Sequence, residues 1–215
     1  MERFDMARWE EYPEGFLRRH LARYAWVLKN ISYKDIVLDV GCGTGYGSMI
    51  LYTGCSYVKG VDKNKEAIEY ATTHYCYPDL EFECTDFENY PDNINDFAQE
   101  FHKYDKIIMI ESLEHMRDFD VVMHRTYQLL KPTGRLFLTM PVKSLEGDML
   151  HPDHKFEYSE HQLSGLLDAY FTSYNFILPE QQGIMPYKNR RFIMCIAEHP
   201  RFKLTKDYSY MEDRA

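Results

Sequence analysis

The stretch Ile36-Val37-Leu38-Asp39-Val40-Gly41-Cys42-Gly43-Thr44-Gly45 decides the fold. It opens with an apolar run rich in β-branched residues, short enough for a buried strand. Glycines at positions 41, 43 and 45 follow at once. Glycine there allows positive φ and lets a ligand lie against bare backbone. Tyr46 to Tyr52 then reads as the start of a helix. A strand, a glycine turn and a helix N-terminus together make a nucleotide-binding crevice. A dinucleotide site wants Gly-x-Gly-x-x-Gly, whereas this loop offers Gly-x-Gly-x-Gly with Asp39 just before it. A carboxylate beside the loop repels a phosphate and suits a cationic ligand.

Working outward, Tyr57 to Val61 reads as a second strand ending in Asp62. That acid follows Asp39 at close to the ~20-residue separation expected of a ribose-binding acid. It can accept from both ribose hydroxyls of an adenosine, or cap the helix predicted over 64–75. Leu80 to Cys84 is a third strand, followed by Thr85-Asp86-Phe87. A short helix is predicted over Asn93 to His102. Tyr104 to Ile110 is a fourth strand, leading into Glu111-Ser112-Leu113-Glu114-His115-Met116. A helix over Phe119 to Leu130 is broken by Lys131-Pro132-Thr133-Gly134 before a fifth strand, Arg135 to Pro141. An insert, 142–158, precedes a helix over Glu160 to Tyr170 and strands over Ser173 to Leu178 and Arg191 to Glu198. Only the loop 179–190 separates the last two strands, so the final one is antiparallel. Ahead of the first strand, Phe16, Leu17, Leu21, Tyr24, Val27, Leu28 and Ile31 fall at helical spacing. This is a packing helix with Arg18, Arg19 and Arg23 on a solvated basic face.

The loop and its preceding acid resemble motif I of the class I S-adenosylmethionine (SAM) methyltransferases. The resemblance covers roughly 36–198, with the motifs in order, and Leu129 to Leu136 is close to a common signature of that family. It implies an α/β fold: a Rossmann-like, doubly wound seven-stranded sheet of order 3-2-1-4-5-7-6, strand 7 antiparallel, behind an N-terminal helix. It implies one domain over 1–198, with 1–33 as a helical cap and 199–215 as a polar tail. It also implies SAM as cofactor, held by Asp39, Gly41, Cys42, Gly43, Gly45, Asp62, Asp86, Phe87 and Glu111. In such enzymes an acid at the place of Asp86 accepts from the adenine amino group, and the next side chain packs on the ring. A turn acid and a core Phe are the plainer readings of the same two residues. The N-terminal segment of such families often covers the cofactor, which makes Tyr12 and Arg18 candidates.

Composition bounds the rest. The chain has 215 residues, 45% hydrophobic and 15% aromatic, which suits one domain with a substantial core. A formal charge of −9 is not that of a general nucleic-acid binder. Five cysteines without a Cys-x-x-Cys pair argue against structural zinc and for a reducing compartment. The N-terminus lacks the apolar core of a signal peptide, so a cytoplasmic chain is expected. No run of ~18 apolar residues is present, so no membrane span is expected.

Methyl transfer from SAM is an in-line displacement, so the protein must align the acceptor and, for a hydroxyl, help remove its proton. Acceptor chemistry should therefore show after strand four. Glu111-Ser112-Leu113-Glu114-His115 lacks the Asn/Asp-Pro-Pro-aromatic pattern of enzymes acting on base amino groups. Glu111, Glu114 and His115 share one side of a helical turn and are good divalent-metal ligands. With His154 they resemble the ligand set of metal-dependent small-RNA 3′-terminal 2′-O-methyltransferases, whose later His-x-Phe-Glu-aromatic segment matches His154 to Tyr158. Glu-x-x-Glu-His also resembles the ubiquinone-pathway O-methyltransferases, and the His-containing insert resembles bacterial glycan O-methyltransferases. All three share an oxygen acceptor. The expected metal is Mn²⁺, Mg²⁺ or Zn²⁺, imidazole favouring the transition metals. His115, Glu114 and His154 are the catalytic candidates; in the metal-free reading Glu111 only caps the strand and faces the SAM amino group, Glu114 is a helix-start acid, His115 is a general base, and His154 packs or hydrogen-bonds locally. The acceptor expected is a small-molecule or sugar hydroxyl. The alternatives are an RNA 3′ end, reached through Lys188-Asn189-Arg190-Arg191 and the arginines of the first helix, and a non-catalytic SAM-binding or partner-activating subunit. The oligomeric state is not legible.

Overall fold

The computed structural model describes residues 15–91, 98–142, 154–155, 157–182 and 192–201. Tyr12, His151, residues 93–97, most of the insert, the 188–191 basic run and the tail beyond 201 lie outside the described residues.

Helix α1 (Phe16–Leu28) comes first. It is followed by β1 (Ile36–Val40), α2 (Tyr46–Tyr52), β2 (Tyr57–Asp62), α3 (Lys65–His74) and β3 (Leu80–Cys84). Then come β4 (Tyr104–Ile110), α4 (Phe119–Leu129), β5 (Leu130–Pro141), α5 (Glu160–Leu167), β6 (Phe171–Ile177) and β7 (Phe192–Pro200). The strands form one seven-stranded sheet in the order β3-β2-β1-β4-β5-β7-β6. β7 is antiparallel to both of its neighbours, and the other pairs are parallel. This is the order and the sense that the resemblance implied.

The central strands are continuously apolar because helices cover both faces. Alternate residues serve opposite layers, as the two-residue period of a strand requires. Val37, Ile108, Phe137 and Met194 pack with Tyr24, Trp26 and Leu51 from α1 and α2. Leu38, Ile107, Leu136 and Cys195 pack with Val122, Met123 and Leu163 from α4 and α5. Trp26 meets the Phe137 ring edge-on at 5.4 Å, which seats α1 on the sheet.

The chain winds from β1 out to β3, then crosses back to start β4 on the other side of β1. The carboxyl ends of β1 and β4 therefore part, and the crevice between them is where such sheets bind ligands.

Several element ends shift by a few residues, and at three places side chains or turns decide the outcome. Helix α1 stops at Leu28 rather than Ile31, because Asn30 turns back, its N–H reaching the Val27 carbonyl and its side chain that of Trp26. Helix α4 ends ahead of Lys131 to Gly134 as expected, but β5 starts at Leu130 rather than Arg135. Tyr104 pairs with Leu130 and Lys106 with Arg135, so the Pro-Thr-Gly segment is accommodated as an irregularity within β5. The cap of α3 is Asn64, whose side chain accepts from the Ala67 N–H, and not Asp62. No helix among the described residues is long and apolar enough to cross a membrane.

Candidate active site

The glycine loop is held open by β2. Gly41 and Cys42 both donate to the Val61 carbonyl, at 2.8 and 3.1 Å. Gly43 N–H donates to Asp62 Oδ2 at 3.0 Å, and Asn64 N–H to Oδ1 at 2.8 Å. Asp62 thus joins the loop to the end of β2 while bordering the cavity above it. Gly41, Gly43 and Gly45 all have positive φ. A Cβ on Gly45 would also lie 2.7 Å from Ala71 Cβ and 2.8 Å from the Phe82 ring. That glycine serves the approach of α2 to α3 and β3, and it does not border the cavity.

Asp39 has a similar hidden role. Its carboxylate is fully buried beneath the loop and away from the cavity, and Ser48 Oγ donates to its Oδ2 at 2.7 Å. Burial pushes its pKa up to about 7, although the Ser48 bond pulls the other way. Cys42 borders the cavity, but burial, with Asp39 and Asp62 nearby, holds its thiol well above the ordinary value. A protonated thiol is a poor nucleophile.

Past the end of β3, Asp86, Phe87 and Glu88 border the cavity. Phe87 is buried and stacks on Tyr90, with ring centres 6.3 Å apart. Arg117 bonds Asp86 at 2.8 Å and Glu88 at 3.1 Å. Glu88 also accepts the backbone N–H groups of Arg117 and Asp118. The loop after β3 is thereby tied to the segment after β4.

Helix α1 forms a wall. Arg19, His20, Arg23 and Tyr24 border the cavity, whereas Arg18 is exposed and does not. Tyr24 lies across α2, where a Cβ on Gly47 would meet its ring at 2.0 Å. Arg23 is 2% exposed, sits 4.2 Å over the Phe192 ring and reaches Glu111 at 3.5 Å. Its Nε has no hydrogen-bond partner among the described residues. The basic face expected to be solvated is, at Arg23, the most buried charge of the helix. The phase of α1 on the sheet, set by Trp26, turns it inward. Burial, with Arg23 and Arg19 beside it, lowers the pKa of His20 well below its ordinary value.

The end of β4 holds the acids. Glu111 has a φ of +50° and turns the chain out of the strand. Thr139 Oγ1 donates to its Oε1 at 2.9 Å. A short 3₁₀ turn, Leu113–His115, follows. Glu114 is 1% exposed, and its Oε2 has no hydrogen-bond partner among the described residues. Burial, reinforced by the charge of Glu111, raises its pKa well above the carboxylate range. Lys155 N–H donates to the Glu114 carbonyl at 2.6 Å, which docks the end of the insert onto this turn. His154 arrives with it, its ring 5.1 Å from that of His115, centre to centre. Ligand atoms of Glu114, His115 and His154 all lie within 4.8 Å of one another. His154 Nδ1 is 2.7 Å from Glu157 Oε1.

A family model described as a methyltransferase domain matches residues 9–199. The chain belongs to this family. It is a class I, SAM-dependent methyltransferase. A ubiquinone biosynthesis O-methyltransferase of Neisseria meningitidis is 32% identical over 108 residues, 48% of this chain and 42% of that protein. The enzyme of the same description from Haemophilus ducreyi is 34% identical over 116 residues, 53% of this chain and 48% of that protein. The chain thus spans less than half the length of these curated relatives. The YcgJ protein of Bacillus subtilis has the same fold, with a TM-score of 0.69 at 15% identity over 85% of this chain and all of that one.

In this methyltransferase the structure gathers most of the expected site. Gly41, Cys42, Gly43, Asp62, Asp86, Phe87, Glu111, Glu114, His115 and His154 border one cavity. Asp39 and Gly45 lie beneath the loop. Of the four expected metal ligands, three form a group and Glu111 is outside it, turned to Thr139 and Arg23 by its left-handed backbone. The expected common face of a helical turn is replaced by a strand end and a 3₁₀ turn, which separate Glu111 from its two neighbours. The sequence places Arg23 on a basic face, Tyr24 on the packing face of the helix and Glu157 within the segment His154 to Tyr158, and none of these readings puts them at the site. The i, i+4 pair Arg19 and Arg23 on the first helix was the available signal for the wall.

Proposed function

We propose that this methyltransferase moves the methyl group of SAM to a hydroxyl oxygen of a small molecule or sugar, with a divalent cation on Glu114, His115 and His154 holding the acceptor. The observation that carries the reading is the buried Glu114, whose Oε2 has no hydrogen-bond partner among the described residues and whose carboxylate offers an oxygen within 4.8 Å of ligand atoms of two imidazoles. The charges of Glu111 and Glu157 both bear on the buried Glu114, with Arg23 as a compensating cation. That donor set has negative charge to spare and mixes carboxylate with imidazole, which fits Mn²⁺, Fe²⁺, Co²⁺ or Zn²⁺. Such an ion, when bound, lowers the pKa of a coordinated hydroxyl and fixes its direction. The name of the two curated relatives, O-methyltransferase, supports an oxygen acceptor.

The chain's own residues do the remainder. The glycine loop and Asp62 offer a bare backbone and a carboxylate to the adenosine half of the donor. Asp86 and Phe87 offer an acceptor and an apolar face to its base. Arg23 and Glu111 present opposite charges side by side, which complements the zwitterionic methionine end. Helix α1 closes the cavity and keeps water from the transfer. His115 borders the same cavity and is placed to ligate or to take the hydroxyl proton.

The test is methyl transfer from labelled SAM to a panel of catechols, sugar diols and a short RNA with a free 3′-terminal diol. Each acceptor is paired with its deoxy or oxidised form, in chelator and in added Mn²⁺. Transfer to a sugar or catechol that needs both hydroxyls and metal is the expected result. Transfer confined to the RNA end moves the acceptor to that class. SAM binding without transfer to any diol favours a non-catalytic subunit.

A further inference from the structure

Glu157 has no role in the reading above beyond its charge. It stands three residues after His154, at the point where the chain leaves the insert for α5. Its carboxylate is 2.7 Å from His154 Nδ1, and the two side chains are 10% and 3% exposed. Three contacts hold this segment in place. Lys155 N–H bonds the Glu114 carbonyl, Val142 bridges to Tyr158, and Tyr158 stacks edge-on against Phe119 at 5.8 Å. The capping box of Ser159 and Gln162 then starts α5 at once. Glu157 is thus fixed in backbone position on both sides, and the His154 imidazole is close both to its carboxylate and to the Glu114–His115 turn.

We infer that Glu157 is the positioning residue of the metal site: it accepts the Nδ1–H of His154, fixes that tautomer, and directs Nε2 to the ion shared with Glu114 and His115. The inference rests on the metal reading above and deepens it. A carboxylate has only acceptor oxygens when ionised, so a histidine bonded to it through Nδ1 must carry the proton there. The other nitrogen then presents its lone pair, which is what a metal requires. The negative partner also makes the imidazole a stronger donor and holds its plane. The motif His-x-x-Glu, spanning 154 to 157, is therefore one functional unit, a ligand with its own orienting acid three residues on.

The experiment has two arms. In the first, Mn²⁺ binding to the full chain is measured by calorimetry for the wild type, Glu157→Gln, Glu157→Asp and His154→Ala, with SAM affinity measured in parallel. Glu157→Gln is expected to weaken Mn²⁺ by about 10- to 100-fold with SAM affinity unchanged, the range seen when such outer partners are lost. Glu157→Asp keeps the charge but shortens the reach and should fall between. In the second arm, long-range proton–nitrogen spectra of the metal-free wild type report the tautomer of His154, assigned by its loss in His154→Ala. The Nδ1–H tautomer is expected. Wild-type Mn²⁺ binding that His154→Ala abolishes and Glu157→Gln leaves within twofold would overturn the role of Glu157 and leave the metal reading standing. An Nε2–H tautomer would do the same, even if the Gln variant failed to fold. No Mn²⁺ binding by a wild type that binds SAM would overturn both.

Discussion

Arg23 and Glu111 form a pair that neither residue would survive losing. Arg23 is 2% exposed, so its removal leaves Glu111 and the buried Glu114 without their nearby cation. Breaking a buried pair by removing one partner costs about 3–5 kcal/mol. Arg23→Ala is therefore expected to lower stability by about 3 kcal/mol in urea unfolding, since the pair is 3.5 Å apart and not ideally placed. Adding Glu111→Gln should restore part of that loss. Two independent, additive losses would show that the pair is not coupled. Asp39 makes a second residue-scale prediction. Burial lifts its folded pKa from 3.8 to about 7. Between those values the unfolded chain releases a proton that the folded chain keeps, so stability falls as pH rises through that window and levels off above it. Asp39→Asn can still accept from Ser48 but cannot ionise. Its stability relative to wild type should rise between pH 5 and pH 8, and an unchanged difference would place the titration elsewhere. The location of Asp39 in the motif was plain in the sequence. Its direction was not, because a two-residue period tells which residues share a face but not which face meets the ligand.

At the scale of elements, the long apolar strands were legible because burial on both faces leaves a nearly continuous apolar signature. β1 and β4 run over the residues expected of them. Ends were less legible where side chains decide. Asn30 ended α1 early, and the Pro-Thr-Gly segment that follows the end of α4 was taken up within β5, which starts at Leu130 rather than Arg135. The site's second half was less legible still. Glu114 and His154 are separated by 39 intervening residues in sequence, and contacts between segments distant in sequence, the Lys155 N–H to Glu114 bond and the Val142–Tyr158 bridge among them, bring them together. No local pattern encodes that closure. The loop between β1 and α2 makes the clearest prediction at this scale. Gly45 has a φ of +82° and no room for a methyl group against Ala71 and Phe82. Gly45→Ala is expected to cost about 2 kcal/mol or more through strain and displacement. For a chain of this size that is a fall in Tm of about 4–8 °C. An unchanged Tm would mean that α3 and β3 can yield where the packing says they cannot.

Across the whole molecule, one topological decision places everything else. The reversal of strand order at β1 and β4 opens the crevice, the glycine loop floors one half, and the acids after β4 stand at the other. Helix α1 and the end of the insert, far apart in sequence, border the same cavity through Arg23 and His154. Methyl transfer requires donor and acceptor aligned in one space, and the glycine loop and the acids after β4 border a single cavity. The most direct measurement is an anomalous difference map from crystals grown with S-adenosylhomocysteine and Mn²⁺, recorded at the manganese edge. A peak bonded to Glu114, His115 and His154 is expected, beside cofactor density seated on the glycine loop. Cofactor on the loop with no peak at those three residues would contradict the metal-held acceptor and leave His115 to act alone as the base.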